Sequence, residues 1–146
     1  MRKKDYSELS LDLCSRLMSG VKVSLVYKDT PLDGTLYAIF PEENGRVIIN
    51  NLSQPISPGD SRWGEFYIEE HQVRPYLRRL SDMTEEEKIE FHDIVVRASD
   101  CSFDRSESAA VKVHDWYLSR YFDTRGLIPR DLAKDAKDKE IYKRII

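Results

Sequence analysis

The chain has 146 residues, of which 40% are hydrophobic and 34% are charged, and its formal net charge at pH 7 is −3. This composition is too hydrophobic for a disordered chain and too highly charged for a membrane protein. The negative charge also argues against a protein whose whole surface contacts nucleic acid, although it leaves room for a local basic patch. The length favours one domain, residues 1–146, with a helix-plus-sheet part (1–80) and a helical part (81–146).

The N-terminus and the two cysteines indicate a cytoplasmic protein. Met1 to Asp5 lead into a polar stretch instead of a signal core, and the apolar runs fall far short of the ~18 residues that span a membrane. Cys14 and Cys101 are far apart and lack CxxC spacing or a Cys/His cluster. We expect both thiols to be reduced and buried, with no zinc site and no disulfide.

Residues up to about 50 predict a helix followed by three strands. Leu9, Leu13 and Leu17 recur every four residues, and Gly20 can close this helix with a positive φ. Three apolar runs rich in β-branched residues follow, and we interpret them as antiparallel strands at 21–27, 35–40 and 46–50. The turn-forming residues between them predict turns at 29–34 and 41–45.

Residues 51–64 predict a long loop, because two prolines and two glycines in 14 residues are more than a regular element tolerates. Long loops in compact domains often carry function. Alternation then returns at 65–73 and predicts a fourth strand, which Pro75 ends at a sheet edge. The expected sheet is small, antiparallel and curved, or a partly open barrel, with about four strands.

The helical part begins with a capping box, Thr84 and Glu87, in which each side chain bonds to the other residue's backbone N–H. This predicts a helix from about Glu85 to Ala98. Ser106 or Ser108 can cap a second helix. Its apolar residues, which we expect to pack on the sheet, are Ala110, Val113, Trp116, Tyr117 and Tyr121.

A structural corner is predicted after the second helix. Asp123 and Arg125 flank a turn in which the carboxylate can accept backbone N–H groups and Gly126 can take a positive φ. Pro129 can then occupy the first turn of a short helix near 130–136. The sequence thus predicts two or three C-terminal helices.

Two His-Asp doublets raise the alternative of a metal-dependent hydrolase. His92-Asp93 and His114-Asp115 are residue types that bind divalent ions, but a full site needs a further histidine, and His71 lies in the predicted fourth strand. The sequence also lacks an activated nucleophile and a glycine-rich phosphate-binding loop. We expect no metal, no cofactor and no catalytic residue, and we favour a non-enzymatic protein.

Aromatic and basic residues around the fourth strand predict a binding surface. On a small sheet such residues can stack on bases and pair with phosphates, as in proteins that bind single strands. Alternatively, the aromatic residues pack the core and the arginines line its rim. The candidate residues are Arg62, Trp63, Tyr67, Arg74, Tyr76, Arg78 and Arg79.

Several segments carry a resemblance to known sequences: LCSRL (13–17) with GVKV (20–23), RPYLRRLSDMTEEE (74–87), DWYL (115–118) and FDTRGLIP (122–129). Together they resemble a group of small uncharacterised proteins from Bacteroidetes, many of them in prophages or other mobile elements. The likeness covers most of the chain in the same order. It does not include 27–65, which suits a variable region on a shared scaffold. No activity is established for the group, so the resemblance implies no catalytic residue.

The chain departs from this group at Met18-Ser19, where members often have Pro-Tyr, and in the tail after Ala136. A helix followed by bent strands is also similar to the Sm-like and SH3-like small barrels. The segment 36–40 lacks the acidic residue that those RNA binders place after the second strand. Fold-level similarity does not by itself fix function.

These observations together predict an α+β interaction protein related to mobile elements, which presents loops, above all 51–64, to a partner protein. A nucleic-acid-binding small-barrel module is the first alternative, and a metal-dependent hydrolase is the second. The sequence predicts neither the identity of the partner nor the oligomeric state.

Overall fold

The computed structural model describes residues 3–56, 62–99 and 106–136. These ranges form three α-helices and a six-stranded sheet, so the predicted α+β class is confirmed. The helices are α1 (Lys3–Ser15), α2 (Glu85–Ser99) and α3 (Ser106–Ser119). The strands are β1 (Lys22–Tyr27), β2 (Thr30–Phe40), β3 (Arg46–Asn50), β4 (Gly64–Tyr67), β5 (Arg74–Leu77) and β6 (Lys134–Asp135). None of the described helices is long and apolar enough to cross a lipid bilayer.

The sheet is open, and its strands lie in the order β4-β3-β2-β1-β5-β6. Neighbouring strands pair antiparallel except β5 and β6, which run parallel. The sheet is therefore larger than the predicted four strands, and it is mixed instead of purely antiparallel. The predicted turn at 41–45 and the hairpin of β2 with β3 are confirmed.

The first hairpin turns at Lys28 and Asp29, not across the predicted 29–34. Both residues have a positive φ (47° and 64°), as a tight two-residue hairpin loop requires. Gly34 lies inside β2, where a Cβ atom would come 2.4 Å from Cγ2 of Ile49. This glycine permits close approach of β2 and β3 and forms no turn.

The prediction of one strand at 65–73 is wrong. β4 ends at Tyr67, and the N–H of His71 donates to the carbonyl of Tyr67 (2.9 Å), which closes a turn. Pro75 lies inside the next strand, β5, where it is paired with Val23 of β1. The two halves of the predicted strand thus belong to β4 and to the approach to β5, which three strands separate in the sheet.

The sheet is strongly curved. The rings of Tyr27 in β1 and Phe66 in β4 lie edge to face with centroids 5.9 Å apart, although two strands separate β1 from β4. A register shift between Leu36 and Ala38 bends β2. The concave side and α1 enclose the core. Its fully buried side chains include Leu9, Leu13, Val21, Val23, Leu25, Val47, Ile49, Phe66, Val73, Leu77 and Leu127.

The helix α1 packs on the sheet through the predicted leucine stripe. Leu9 and Leu13 are fully buried, and Leu17, in the following 3-10 turn, packs against the same core. Gly20 closes that turn with a φ of 66°, as predicted.

Cys14 is an exposed free thiol, so the prediction of a buried cysteine is wrong for it. It follows Leu13 by one residue, a rotation of about 100° around the helix, and this moves it off the buried stripe. Cys101 lies outside the described residues.

The helix α2 begins at the predicted capping box. The N–H of Thr84 donates to Oε1 of Glu87 (3.1 Å), and the N–H of Glu87 donates to Oγ1 of Thr84 (3.1 Å). The glutamates of the first turn lie at the positive end of the helix dipole. The predicted helix near 85–98 is confirmed.

The helix α3 packs mainly on α2 and not, as expected, on the sheet. The ring of Phe91 in α2 contacts Trp116 and Tyr117 at centroid distances of 5.4 and 5.2 Å. Tyr121, beyond the end of α3, does pack against the sheet core. Exposed apolar side chains on α2 and α3 include Ile89, Val95, Val96 and Val111. The side chains of Ser106, Ser108 and Ala110 lie outside the described residues.

The predicted short helix at 130–136 is wrong. Asp131 takes a φ of 59°, and the N–H of Leu132 donates to the carbonyl of Leu127 (3.0 Å), so the chain turns. It then forms β6, and the N–H of Ala136 donates to the carbonyl of Leu77 in β5 (2.8 Å). The C-terminal segment therefore completes the sheet edge.

Candidate interaction surface

The structure divides the seven predicted binding residues into two groups. Arg62, Trp63 and Tyr67 lie in or just before β4, whereas the other four lie in or just after β5: Arg74, Tyr76, Arg78 and Arg79. The strands β3, β2 and β1 separate β4 from β5. The seven residues therefore do not form one surface.

The polar groups of Tyr76 and Arg78 form hydrogen bonds to other side chains inside the protein. Tyr76 is 3% exposed, and its hydroxyl donates to Oδ1 of Asp33 (2.6 Å). Burial raises the pKa of Tyr76 to about 12, and the hydrogen bond to Asp33 acts in the same direction. Arg78 is buried and donates two hydrogen bonds to the carboxylate of Glu87. Neither side chain presents its polar group to a ligand.

Arg74 and Arg79 contact β6 and the turn that precedes it. The guanidinium of Arg74 donates to the carbonyls of Val73 (2.9 Å) and Asp131 (3.2 Å), and burial lowers its pKa. Nε of Arg79 donates to Oδ2 of Asp135 in β6 (2.8 Å). Tyr76, Arg74 and Arg79 match the alternative interpretation, in which aromatic residues pack inside and arginines line the rim, whereas Arg78 is itself buried.

The residues around β4 do face solvent. Gly64 and Phe66 are buried, so the alternation along the strand places Trp63, Glu65 and Tyr67 on the opposite, convex side of the sheet. Trp63 is 52% exposed. An indole left this open to water is free to contact a partner.

Tyr37 belongs to the same side of the sheet and is not among the predicted residues. It lies at the register shift between Leu36 and Ala38 and is 64% exposed. Because only β3 separates β2 from β4, Tyr37 and Trp63 lie about two strand spacings, roughly 10 Å, apart across the sheet. The surface formed by Tyr37, Ile48, Trp63 and Tyr67 is called the outer face below.

The signal for Tyr37 is present in the sequence. Small or aliphatic residues at alternate positions, Leu32, Gly34 and Leu36, face the core, and Tyr37 directly follows the last of them. An aromatic residue out of phase with a buried alternation is expected on the solvent side. The turn predicted at 29–34 hid this pattern, because it left Leu32 and Gly34 out of the strand.

Arg46, on the same side of the sheet as Tyr67, is already paired. Arg46 donates to Glu43 (2.8 Å) and to Glu65 (3.1 Å), and its guanidinium lies over the ring of Phe40, 4.1 Å from the centroid. The hydrogen bond to Glu43 raises the pKa of Arg46 above its ordinary value. Arg62, next to Trp63, is exposed.

The described ends of the loop 51–64 are fixed to the sheet. Leu52 is buried, and its N–H donates to the carbonyl of Arg62 (3.0 Å). Ile56 packs beside Gly64. A Cβ atom added to Gly64 would come 2.5 Å from Cδ1 of Ile56. Residues 57–61 lie outside the described part of the chain. The ends of the loop thus hold Arg62 and Trp63 at the rim of the outer face.

The His-Asp doublets do not converge. His92 and Asp93 are exposed on α2, where Asp93 pairs with Arg97 (3.1 Å), and His114 and Asp115 are exposed on α3. Within 3–56, 62–99 and 106–136, no three side chains among His, Cys, Asp and Glu form a group that could hold a metal ion. The residues that suggested a hydrolase are therefore surface residues of the two helices.

No family model, curated protein or solved structure matches this chain. What the outer face can do therefore follows from its own side chains and surroundings.

Three distant parts of the chain meet at one buried junction. An Nη atom of Arg16 donates to the carbonyl of Phe122 (2.5 Å), the N–H of Arg78 to the carbonyl of Tyr121 (2.8 Å), and the N–H of Asp123 to the carbonyl of Arg78 (2.8 Å). These bonds join α1, the end of β5 and the corner after α3. The junction is scaffold, and it lies apart from the outer face.

The predicted corner is confirmed at this junction. Oδ1 of Asp123 accepts the N–H of Leu127 (2.9 Å), Oδ2 accepts the N–H of Ile128 (2.9 Å), and Gly126 has a φ of 67°. One carboxylate thus satisfies two backbone donors that would otherwise be buried or half-buried without partners.

A fully buried ion pair at the junction has no counterpart among the sequence predictions. Nε of Arg16 lies 2.9 Å from Oδ2 of Asp12, one helical turn earlier, and Arg125 approaches the other carboxylate oxygen at 3.4 Å. The spacing of four residues shows that Asp12 and Arg16 share a helix face, but such pairs are usually exposed. Burial of this pair depends on the corner residues that cover it.

Proposed function

We propose that this protein is a non-enzymatic interaction module and that its outer face binds a partner protein. The observation that supports this most is the exposure of two large aromatic side chains, Tyr37 (64%) and Trp63 (52%), on one side of a hydrogen-bonded sheet. Tryptophan and tyrosine are enriched among the residues that dominate interface energies, since they bury a large apolar area at a low entropic cost. A strand scaffold holds them in place before binding.

The charges around the outer face favour a protein over a nucleic acid. Phosphate backbones require several unpaired cations along a surface. Arg46 is held between Glu43 and Glu65, and these carboxylates would repel phosphates. Arg62, beside Trp63, is exposed. A protein partner, whose own surface mixes both signs of charge, is compatible with this arrangement.

The position of the outer face in the chain also supports the proposal. Tyr37, Ile48 and Trp63 lie within 27–65, which is the part of the chain outside the sequence resemblance, whereas the resembling segments build the buried junction. This division suits a shared scaffold that carries a surface specific to each protein. A mobile-element origin and a cytoplasmic location are part of the same proposal and rest on the sequence alone.

The test compares surface variants in recovery of a partner from the natural host. Trp63→Ala and Tyr37→Ala should lose a protein that the wild type recovers, and Val111→Ser, an exposed apolar position on α3, should retain it. With the purified partner, calorimetry should show a loss of affinity of about thirtyfold for Trp63→Ala, as for a dominant interface residue. Unchanged affinity in both aromatic variants, with unchanged melting temperatures, would contradict the proposal.

Single-strand binding is the second candidate, because Trp63, Tyr67 and Arg62 combine exposed or half-exposed rings with a cation. Gel-shift assays at low salt with single- and double-stranded DNA and RNA separate the two functions. Retardation that Trp63→Ala abolishes would favour nucleic acid. Absence of retardation at low salt, where phosphate contacts are strongest, would remove this candidate.

A further inference from the structure

A groove runs between α1 and the two turns that follow β2 and β4. It has a volume of about 510 Å³, and its apolar walls are Tyr6 and Leu11 of α1, Pro41, and Ile68. Leu11 is 56% exposed although it lines this groove. An open, partly apolar groove of this size can accept a few side chains of an extended peptide.

The groove continues to the outer face. A second depression of about 390 Å³ adjoins it, and the two share Asn44 and Glu69 as lining residues. Tyr67, which belongs to the outer face, lines the second depression. The second depression therefore connects the groove to Tyr67 at the edge of the outer face.

The charge of the groove has one sign. Glu69 lines the groove and the second depression, and Glu70 lines the second depression; both are exposed. No lysine, arginine or histidine is among the described residues that line either depression. Burial and the neighbouring Glu69 carboxylate, which accepts a hydrogen bond from Tyr6, raise the pKa of the Tyr6 hydroxyl. Arg74 is close enough to Tyr6 to oppose that shift, but its guanidinium donates to backbone carbonyls. The groove thus presents negative charge above an apolar floor.

We propose that the groove binds a basic segment of the partner protein, in which lysine or arginine alternates with aliphatic residues. The aliphatic side chains would contact Leu11 and Ile68, and the cations would pair with Glu69 and Glu70 and lie near the ring of Tyr67. This inference rests on the proposed function, because it names the chemistry of the same partner. It extends the contact surface from the outer face to α1.

The direct test uses a defined probe on the full chain. A fluorescein-labelled octapeptide of alternating leucine and lysine should bind in an anisotropy titration at low salt, and the matching leucine–glutamate peptide should not. Glu69→Gln/Glu70→Gln should weaken binding by about tenfold, the effect expected for two exposed ion pairs. The control pair Glu85→Gln/Glu86→Gln, exposed on α2, should leave it unchanged.

Two further variants keep the test independent of folding. Glu70→Gln alone leaves the bond between Tyr6 and Glu69 intact and should still weaken binding, and Leu11→Ser should weaken it without altering the effect of salt. Equal binding of both peptides, or full binding by the Glu69/Glu70 double variant, would overturn the inference. So would dissociation of a dimer by Leu11→Ser in sedimentation, since a second copy would then occupy the groove.

The purified partner separates the failure of this inference from that of the proposed function. Loss of partner binding in Trp63→Ala but not in the Glu69/Glu70 double variant would retain the outer face and overturn the groove. Loss of partner binding in both variants would support the proposed function and the groove inference. Retention of partner binding in both variants would overturn the proposed function and the groove inference together.

Discussion

The guanidinium of Arg78 and the carboxylate of Glu87 form two parallel hydrogen bonds, of 2.8 and 2.6 Å, where both side chains are less than a tenth exposed. Glu87 also closes the capping box of α2 with Thr84. Arg78 follows β5 directly, so one carboxylate both caps the helix and ties it to the sheet. This pair is a buried polar link between α2 and the end of β5.

Replacement of Glu87 by alanine should destabilise the protein by about 3 kcal/mol, because it leaves the Arg78 guanidinium buried without a counter-ion. Urea denaturation of the full chain measures this. The neighbouring Glu86→Ala, at an exposed position of the same turn, is the matched control and should change stability by less than about 0.5 kcal/mol. A loss for Glu87→Ala no larger than that of the control would show that the pair does not hold the helices to the sheet.

Stability should fall in acid through the same carboxylate. Burial acts to raise the pKa of Glu87, but hydrogen bonds from Arg78 and Thr84 outweigh it and keep the pKa below its ordinary value. Hydrogen bonds from Arg120 and Trp116 lower the pKa of Glu90. A lowered folded-state pKa gives stability that is present above the unfolded value, about 4.5, and lost as the pH falls through the folded value.

The measurement is thermal melting between about pH 6 and pH 3. The melting temperature of the wild type should fall as the pH is lowered across this range. The melting temperature of Glu87→Gln should be lower at pH 6 but should fall less steeply, because the titrating carboxylate is gone. Parallel curves for the two proteins would mean that Glu87 contributes nothing to the acid sensitivity.

The corner at Asp123 can be tested by comparing two substitutions of the same residue. Asp123→Ala leaves the N–H groups of Leu127 and Ile128 without their acceptors and should cost about 2 kcal/mol. Asp123→Asn keeps one oxygen and should cost about half as much. The exposed Asp93→Ala on α2 is the control. Equal effects of the alanine and asparagine variants would show that the two bonds do not both stabilise the corner.

The local features of the fold that depend on short-range chemistry could be predicted from the sequence. The capping box of Thr84 and Glu87 and the corner at Asp123 each join residues at most five positions apart, and successive leucines of the α1 stripe are four positions apart. Their partners are fixed by the chain itself, so no knowledge of the tertiary structure is required.

The features that were mispredicted depend on contacts between distant residues. The first hairpin turns at Lys28 and Asp29, which have a positive φ, although Gly34 is the stronger turn signal in the sequence. Gly34 is needed inside β2 instead, because the strand approaches Ile49 closely at that position. Pro75 is tolerated inside β5 opposite Val23. Trp116 looked like a residue facing the sheet because periodicity shows that a face is buried and does not show what covers it.

The same limit applies to the candidate surface. The seven predicted residues are close in sequence, but the sheet order places Trp63 and Tyr76 on strands far apart and turns Tyr76 inward to Asp33. Tyr37 lies on the same surface as Trp63 only because β2 and β4 are the two neighbours of β3. Strand order is a long-range property, and apolar alternation along one strand does not encode it.

The contact of a partner with Trp63 is the central claim, and quenching of tryptophan fluorescence tests it most directly, since the chain has two tryptophans. In Trp116→Phe, the remaining Trp63 should be quenched strongly by acrylamide, and the purified partner should reduce that quenching severalfold. In Trp63→Phe, the remaining Trp116, which is 7% exposed, should be quenched weakly with or without partner. Binding of the partner that leaves the quenching of Trp63 unchanged would contradict the account.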